Sequence, residues 1–251
     1  MAKKTAGTKA TRAKSPKTRA PARGGQQRWL FRFVLRYILI LIALLLIWVV
    51  AYRVINPPGN IYMLQERLRL GMIEQDWIAL DDLPEAVPLA AMAAEDAHFC
   101  AHIGFDFDAI QDAMEANRKG RSMRGGSTIS QQVAKNVFLW PARSWVRKGL
   151  EAGFTLLIEV FWPKRRIVEV YVNVAEFDEG IFGIGAAARH YFGKSARDLT
   201  SREAARLAAI LPAPKSRSAS KPGPFTRRRA SAIRQGINTL ASDGRADCLD
   251  R

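Results

Sequence analysis

The stretch 125–140, GGSTISQQVAKNVFLW, decides the fold class of this chain. Thr128 and Gln131 have the three-residue spacing of a capping box, in which each side chain accepts a hydrogen bond from the other residue's backbone N–H. The spacing predicts a helix that starts at this box and runs through QQVAKNVFLW, and Pro141 ends it. This helix therefore has a defined start and a defined end.

The same helix start has features of a binding site. Gly125 and Gly126 precede the capped helix, whose first backbone amides are then free to face an anion. Gln132, Lys135 and Asn136 follow at spacing i, i+3 and i+4, so their polar groups share one helix face. Ordinary helix starts have the same features, and this pattern alone does not decide between a binding site and a structural helix.

Segments on both sides of this stretch also predict helices. Upstream, Pro88 opens PLAAMAAEDAHFCAH, and FDFDAIQDAMEANRKG stops at Gly120 before a cationic loop, RSMRGG. Downstream, helices follow through SWVRKGLEAGFTLLIEVFW and RRIVEVYVNVAEF, and a second capping box, Thr200 with Glu203, starts REAARLAAIL. One more helix is expected around 230–240. Because period-2 runs of β-branched residues are few, we predict an all-α domain.

The N-terminal part of the chain predicts a membrane anchor. Residues 1–28 contain almost no apolar side chains and are expected to be disordered. From Tyr37 to Tyr52, sixteen residues carry no charge. They span about 24 Å as a helix against a bilayer core of about 30 Å, and residues 30–36 supply the missing turns. A cleavable signal peptide and a buried globular helix are the less favoured alternatives.

The charge distribution predicts the orientation of this anchor. The chain has a formal net charge of +16, and residues 1–36 hold eleven Lys/Arg without Asp or Glu, which leaves +5 for residues 37–251. By the positive-inside rule, the tail faces the cytoplasm and the residues after 55 lie outside. The basic tail then contacts anionic lipid, and we expect no nucleic acid as a partner of the outer domain.

Two cysteines, Cys100 and Cys248, stand far apart in the chain. A distant pair does not indicate a disulfide scaffold. Because Cys100 falls in a predicted helix, we expect it to be a buried free thiol.

Two further clusters of charged residues suggest chemistry. Glu95, Phe99 and His102 have spacing i, i+4 and i+7, so on one helix they would share a face, and a carboxylate beside an aromatic ring is a better base. The alternative is an exposed helix end with a salt-bridged glutamate. Downstream, Arg147 and Glu151 would line one stripe with Arg143, although such a stripe is usually a solvated ion-pair face.

Three spaced residues and a run of glycines complete the pattern, in EVYVN and DEGIFGIG. We interpret Glu169, Tyr171 and Asn173 as packing residues. Gly180, Gly183 and Gly185 are expected to serve tight backbone turns.

Taken together, these segments resemble the peptidoglycan glycosyltransferase domain, also called the transglycosylase domain of class A penicillin-binding proteins. Its motifs are matched in order over about 78–214. The matching segments are EDAHFCAHIGFD, GGSTISQQVAKN, RKGLE, RRIVEVYVNVAEFDEGIFGIGAAARHYFGK and REAARLAAILPAP. Since the chain ends at Arg251, no transpeptidase domain is expected, as in the monofunctional biosynthetic branch of this family.

The resemblance implies a fold and a division of the chain. The family fold is lysozyme-like and helical, with a hydrophobic jaw beside the membrane, here on a single N-terminal transmembrane helix. We expect residues 60–75 to belong to the jaw and 103–126 to include a mobile region between the donor and acceptor sites. The expected division is a tail at 1–28, an anchor at 29–55, a glycosyltransferase domain at 56–214 and a polar extension at 215–251.

The resemblance also implies a role for each motif residue. Glu95 matches the family's base, and Glu151 matches its second acidic residue, which positions a divalent cation or the substrate. Lys135 and Arg143 match the residues that stabilise the pyrophosphate of the donor. The positions carried over as substrate-binding or supporting residues are Ser127, Thr128, Gln132, Asn136, Phe99, His102 and Arg147.

The implied reaction is the polymerisation of lipid II into β-1,4-linked glycan strands, with inversion at the donor sugar and release of undecaprenyl pyrophosphate. A divalent cation, Mg²⁺ or Mn²⁺, bound through Glu151 is the one cofactor that the resemblance allows. The implied partners are lipid II, the growing strand, the bacterial inner membrane and other cell-wall synthesis proteins. The catalytic domain would be periplasmic, on a single-pass anchor with a cytoplasmic N-terminus.

Three other functions stay open at this point. A membrane-anchored, lysozyme-like murein hydrolase or lytic enzyme would also use a glutamate on a helix, but it needs neither a lipid anchor nor pyrophosphate-binding cations. A non-catalytic scaffold of the cell-wall machinery would keep its function when Glu95 is replaced. A nucleic-acid-binding protein using the basic tail would show steeply salt-dependent DNA binding.

Overall fold

The computed structural model describes residues 23–119, 126–142 and 144–250. The helix stop expected at Gly120, most of the cationic loop RSMRGG and the predicted site residue Arg143 lie outside these ranges. The chain divides into two compact units between Leu45 and Leu46.

Helix α1, Arg23–Ala51, contains the predicted anchor. Its segment Arg28–Ala51, 24 residues, is long and apolar enough to cross a membrane. In the first unit its large apolar side chains are mostly exposed, with Leu41 65% and Phe31 69% accessible. A helix that is apolar on every face and unburied in the protein is typical of a membrane span. The prediction of an N-terminal apolar helix is confirmed.

The second unit is helical, which confirms the predicted fold class. Its helices are α2 Ile61–Leu70, α3 Ala86–Glu95, α4 Phe107–Arg118, α5 Ile129–Phe138, α6 Trp145–Phe161, α7 Lys164–Val174, α8 Gly183–Phe192, α9 Ser201–Ile210 and α10 Pro224–Ser242. A small sheet has the order β1-β3-β2, with β1 Glu74–Gln75 parallel and β2 Glu176–Asp178 antiparallel to β3 Ile181–Phe182.

Helix α5 packs against α6 and α7, while α3 packs against α7, α9 and α10. The apolar face of α5 is fully buried, with Ile129, Val133 and Ala134 each 0% exposed. Each fully buried aliphatic side chain of this size stabilises the fold by about 1.5–3 kcal/mol. The motif helix is therefore held on its apolar side, and its polar face is left for the site.

Both predicted capping boxes are present. Thr128 N donates to Gln131 Oε1 at 3.0 Å, and Gln131 N donates to Thr128 Oγ1 at 3.2 Å. At the start of α9, Thr200 N donates to Glu203 Oε2 at 2.9 Å, and Glu203 N donates back to Thr200 Oγ1 at 3.4 Å. Each cap stabilises its helix by about 0.5–2 kcal/mol, so the starts of α5 and α9 are fixed locally.

The helix predicted through PLAAMAAEDAHFCAH is too long. Helix α3 ends at Glu95, and Asp96 has φ −161° and ψ 74°, outside the helical region. The physical reason is a long-range hydrogen bond, because Ile129 N at the start of α5 donates to Asp96 Oδ2 at 3.0 Å. Residues after Asp96 therefore form turns rather than two more turns of helix.

The cysteine expectation is wrong. Cys100 forms a disulfide with Cys248, 148 residues later, and the Cα atoms are 5.6 Å apart. Local sequence could not show that the two ends of the domain meet. The helix expected at 230–240 is present and longer, as α10, and it packs against α3 and α9. A Cβ at Gly236 would lie 2.9 Å from the Cβ of Ala93, so the α10–α3 contact requires glycine there.

The segment between α7 and α8 differs partly from the prediction. Helix α7 ends at Val174, and Glu176–Asp178 continues as strand β2 rather than as helix. Gly180 and Gly183 have φ +73° and +80°, which confirms that they serve tight turns. The same expectation for Gly185 is wrong, because Gly185 lies inside α8, where a Cβ would come within 2.6 Å of Asp76 O. Asn173 is 0% exposed and Tyr171 is 2% exposed, as expected of packing residues.

Candidate active site

Glu95 is the last residue of α3, and its carboxylate is held on both oxygens. Its side chain is 16% exposed. Gln132 Nε2, on the polar face of α5, donates to Glu95 Oε2 at 3.0 Å. Arg229 Nη2, from α10, donates to Glu95 Oε1 at 3.3 Å and to Ala94 O at 3.1 Å. Three helices therefore fix the position of this one carboxylate.

The surroundings make Glu95 a stronger base than an exposed glutamate. Burial is the main cause and raises the pKa of the Glu95 carboxyl, and the neighbouring Asp96 charge adds to this. The hydrogen bond from Gln132 and the charges of Arg229 and Lys135 act in the opposite direction. The carboxylate thus gains basicity from its partly dry surroundings, while nearby donors keep its ionised form accessible.

The turns after Glu95 form a supporting loop. Asp96 is 7% exposed, and its carboxylate lies 2.9 Å from His102 Nε2 while also accepting from Ile129 N. Because α3 ends at Glu95, the prediction that Glu95, Phe99 and His102 share one helix face is wrong. Phe99 is 0% exposed, so it supports the loop from inside.

An ion pair between Lys164 and Glu159 holds this loop in place. Lys164 Nζ donates to His102 O at 2.7 Å and to Glu159 Oε1 at 2.9 Å, and it lies 4.3 Å from the centre of the Phe99 ring. Ser130, on α5, donates to Glu159 as well. This group links α5, α6 and α7 to the loop, and no local pattern in the chain predicts it.

The cationic side of the site is built on α5 and α6. Burial is the main cause that lowers the pKa of Lys135, and the charges of Glu151 and Glu95 oppose that effect. Arg147 Nη1 donates to Glu151 Oε2 at 2.8 Å, and Lys148 forms an ion pair with Oε1 of the same carboxylate. Glu151 itself is only 4% exposed. One buried carboxylate therefore holds two cations beside Lys135.

Two cavities open along α5. The first, about 270 Å³, contains Glu95, Asp96, Ser127 and Thr128 in its wall. The wall of the second, about 310 Å³, includes the polar residues Tyr62, Lys135, Asn136 and Arg147. Residues 128 and 135 are about 10 Å apart along the helix axis, with Gln132 between them. The acidic and cationic groups thus occupy neighbouring cavities on one helix.

The role of Glu151 toward a divalent cation stays a prediction. Each oxygen of Glu151 faces a cation, Arg147 or Lys148. In the described ranges, no group of three or more His, Cys, Asp or Glu side chains is arranged to hold a metal ion. A magnesium ion held by one carboxylate together with substrate phosphate oxygens does not need such a group.

The predicted site residues fall into three groups. Those on the walls of the two cavities are Glu95, Ser127, Thr128, Lys135, Asn136 and Arg147. Gln132 and Glu151 each hold another predicted site residue, and His102 and Phe99 support the loop after Glu95 through Asp96 and Lys164. Arg143 lies outside the described residues, so its predicted role stays a prediction.

Arg229 and Asp96 are the residues that sequence reasoning missed. Arg229 stands in a run of three arginines in the polar C-terminal segment, 134 residues from Glu95, and nothing local relates the two. Asp96 is adjacent to Glu95, but its role depends on the distant Ile129 amide. A run of arginines on a helix usually indicates a solvated face.

The arrangement suits transfer of a group from an anionic leaving group to a hydroxyl. A base of raised pKa can take the proton of the attacking hydroxyl, and a nearby cationic cavity can stabilise a departing anion. A hydrolase of the lysozyme type uses a second carboxyl group at the reaction centre. Here Glu151 is buried under Arg147 and Lys148. Asp96, in the cavity of Glu95, is engaged by Ile129 N and His102.

Comparisons with known proteins agree with this chemistry. The Transglycosylase family matches residues 64–237, which includes most of α10. A biosynthetic peptidoglycan transglycosylase of Jannaschia sp. (strain CCS1) is 52% identical over 218 residues, covering 87% of this chain and 90% of the relative. Proteins of the same name from Caulobacter vibrioides and Pseudomonas aeruginosa are 49% and 47% identical, over 89% and 86% of this chain and 97% and 96% of each relative. This chain therefore belongs to the transglycosylase family.

Proposed function

We propose that this chain polymerises lipid II into the β-1,4-linked glycan strands of peptidoglycan and releases undecaprenyl pyrophosphate. As a member of its family the chain is a glycosyltransferase that acts in peptidoglycan synthesis. The observation that carries the finer proposal is the pair of cavities along α5, one with Glu95 and the other with Lys135 and Arg147.

The acceptor occupies the cavity beside Glu95. The Glu95 carboxylate accepts the proton of the acceptor's 4-hydroxyl as its oxygen attacks the anomeric carbon of the donor sugar. The bond between that carbon and the phosphate oxygen breaks, and attack from the opposite face inverts the linkage from α to β. Gln132 and Arg229 orient the carboxylate for this transfer. Positioned general bases of this kind contribute about 10²–10⁴ in rate.

The pyrophosphate of the donor occupies the cavity of Lys135, Asn136 and Arg147. Its leaving oxygen is already anionic, so it needs cations rather than an acid to protonate it. Glu151 keeps Arg147 and Lys148 aligned beside Lys135. Arg143, by its resemblance to the family position, joins this cationic group.

We further place the catalytic domain in the periplasm, on a single-pass anchor in the bacterial inner membrane. The apolar helix, the eleven cations before it and the disulfide support this orientation. Disulfides persist in the periplasm and are rare in the cytosol. Protease added to spheroplasts should digest the domain and leave the tail protected, whereas a protected domain would contradict this orientation.

A product assay tests the proposed reaction against its rival. The purified full chain is incubated in detergent with fluorescent lipid II in one reaction and with labelled murein in another. Our proposal predicts long glycan polymer from lipid II and no release of label from murein. Soluble sugar fragments released from murein, without polymer from lipid II, would instead establish the lytic enzyme.

A further inference from the structure

A second cationic cavity lies between α9 and α10, apart from the candidate active site. Its volume is about 160 Å³, and its wall is formed by Arg202, Arg206, Arg227, Ala230, Ser231 and Arg234. None of these residues contributes to the cavities of Glu95 and Lys135. Four guanidinium groups and a hydroxyl therefore line one small space that the proposed reaction does not use.

The spacing of these residues explains why they converge. Arg202 and Arg206 are one turn apart on α9, and Arg227, Ser231 and Arg234 follow at i, i+4 and i+7 on α10. Each set shares a helix face, and α9 and α10 pack closely against each other. The two faces therefore meet at one groove.

The same packing separates this groove from the active site. Residues that are two positions apart in the sequence lie about 200° apart around a helix, so Arg229 points away from Arg227. Its guanidinium instead reaches the Glu95 carboxylate. Helix α10 thus presents one arginine to the proposed base and others to the groove with α9.

This cluster lacks a counter-charge in the part of the chain that the structure describes. None of its four arginines forms an ion pair there, and α10 contains no acidic residue. Glu203, the acid between Arg202 and Arg206 on α9, is engaged by Thr200 and Lys194. Arg202, Arg227 and Arg234 are exposed, so water screens the repulsion among these like charges, and an anion between them would relieve it further.

Helix stability does not explain Arg202. This residue lies in the first turn of α9. The N-terminal end of a helix carries partial positive charge, so a cation there is unfavourable and an anion is favoured. Arg227 stands about one turn into α10, where its Nη1 donates to Pro222 O at 2.8 Å.

We propose that the cavity between α9 and α10 binds a phosphate group. Guanidinium forks match the geometry of phosphate oxygens, and the Ser231 hydroxyl adds a further donor. A liquid water occupies about 30 Å³, so the cavity has room for a phosphate group but not for a whole lipid-linked sugar. The phosphate belongs either to an anionic phospholipid headgroup or to a soluble phosphate.

Calorimetric titration tests this site on the full chain in a non-ionic detergent. Lys135→Gln is present in every sample, which weakens the active-site cavity as a competing anion site. Inorganic phosphate is titrated into this background, into Arg206→Gln/Arg234→Gln, and into the control Arg118→Gln/Arg228→Gln. The control removes two positive charges, as the cavity pair does, but at exposed arginines outside the cavity.

We expect the cavity pair to weaken phosphate binding at least tenfold, since each guanidinium that is removed takes charge-assisted hydrogen bonds away from the anion. The control should bind as the background does. A second titration uses short-chain phosphatidylglycerol, with phosphatidylcholine as its zwitterionic counterpart. Tighter cavity-dependent binding of phosphatidylglycerol identifies a lipid headgroup, and tighter binding of inorganic phosphate identifies a soluble ligand. Equal binding by the cavity pair and the control, or no binding in either titration, overturns the proposal.

Discussion

Arg229 Nη2 lies 3.3 Å from Glu95 Oε1, on the carboxylate oxygen that Gln132 does not reach. The arginine comes from α10, near the end of the chain, and the glutamate from the end of α3. The contact makes the C-terminal helix part of the proposed site. The positive charge of Arg229 also lowers the pKa of the proposed base.

Arg229→Gln should move the acidic limb of the pH–rate profile to higher pH. Glu95 acts as a base only when ionised, and its pKa is already raised by burial, while the Arg229 charge lowers it. Removing that charge raises the pKa further, so more alkaline conditions are needed for the same ionised fraction. The measurement is kcat/KM for lipid II polymerisation against pH. Arg228→Gln, an exposed neighbour, serves as control, and an unchanged limb in Arg229→Gln would count against the contact.

Lys135→Gln should lower the polymerisation rate by about 10²–10³, as expected when one donor to a developing anion is lost. Lys135→Arg should keep part of the rate and shift the alkaline limb to higher pH. The pKa of Lys135 is lowered, chiefly by burial, so wild-type activity falls as that lysine deprotonates, whereas arginine stays charged. An alkaline limb that stays in place in Lys135→Arg would show that another group causes it.

Cys248→Ser should destabilise the domain by about 2–4 kcal/mol, because the disulfide with Cys100 closes a long loop in the unfolded chain. Thermal unfolding followed by circular dichroism measures this loss. Reducing agent should lower the Tm of the wild type to that of the variant and leave the variant unchanged. If the oxidised wild type and Cys248→Ser unfold at the same temperature, the bridge does not stabilise the domain.

Asn173→Ala should cost about 2–3 kcal/mol of stability. The buried Asn173 side chain accepts from Ile78 N and donates to Ile78 O, both at 2.9 Å, and donates to Glu169 O at 2.8 Å. Alanine leaves the buried backbone N–H and C=O of Ile78 without this partner. Urea unfolding measures the loss, and the exposed Asn238→Ala is the control. Equal midpoints for the two variants would contradict this role.

Local signals explain why most of the helices could be predicted. The capping boxes at Thr128 and Thr200 fix two helix starts through residues only three positions apart. Pro141 and Pro212 mark where those helices cannot continue. The apolar run before Tyr52 predicts α1 by composition alone. These features need no knowledge of the fold.

Long-range contacts explain what the sequence could not show. The end of α3 depends on the bond between Asp96 and the Ile129 amide, so a helical pattern that continues past Glu95 was misleading. Arg229 meets Glu95 across 134 residues, and Cys248 meets Cys100 across 148. A single sequence carries no local trace of such pairs. The resemblance to a family selected Glu95, and the helix-face argument for it was incorrect.

The rate of Glu95→Gln tests the central claim most directly. Glutamine preserves the shape of the side chain and removes its ability to accept the proton of the acceptor hydroxyl. Lipid II polymerisation by the purified full chain is compared with that of the wild type and of Glu85→Gln, an exposed glutamate just before the first turn of α3. The account predicts a loss of about 10²–10⁴ for Glu95→Gln at unchanged circular dichroism, and wild-type activity for Glu85→Gln. A Glu95→Gln enzyme that polymerises lipid II within a few-fold of the wild-type rate would contradict it.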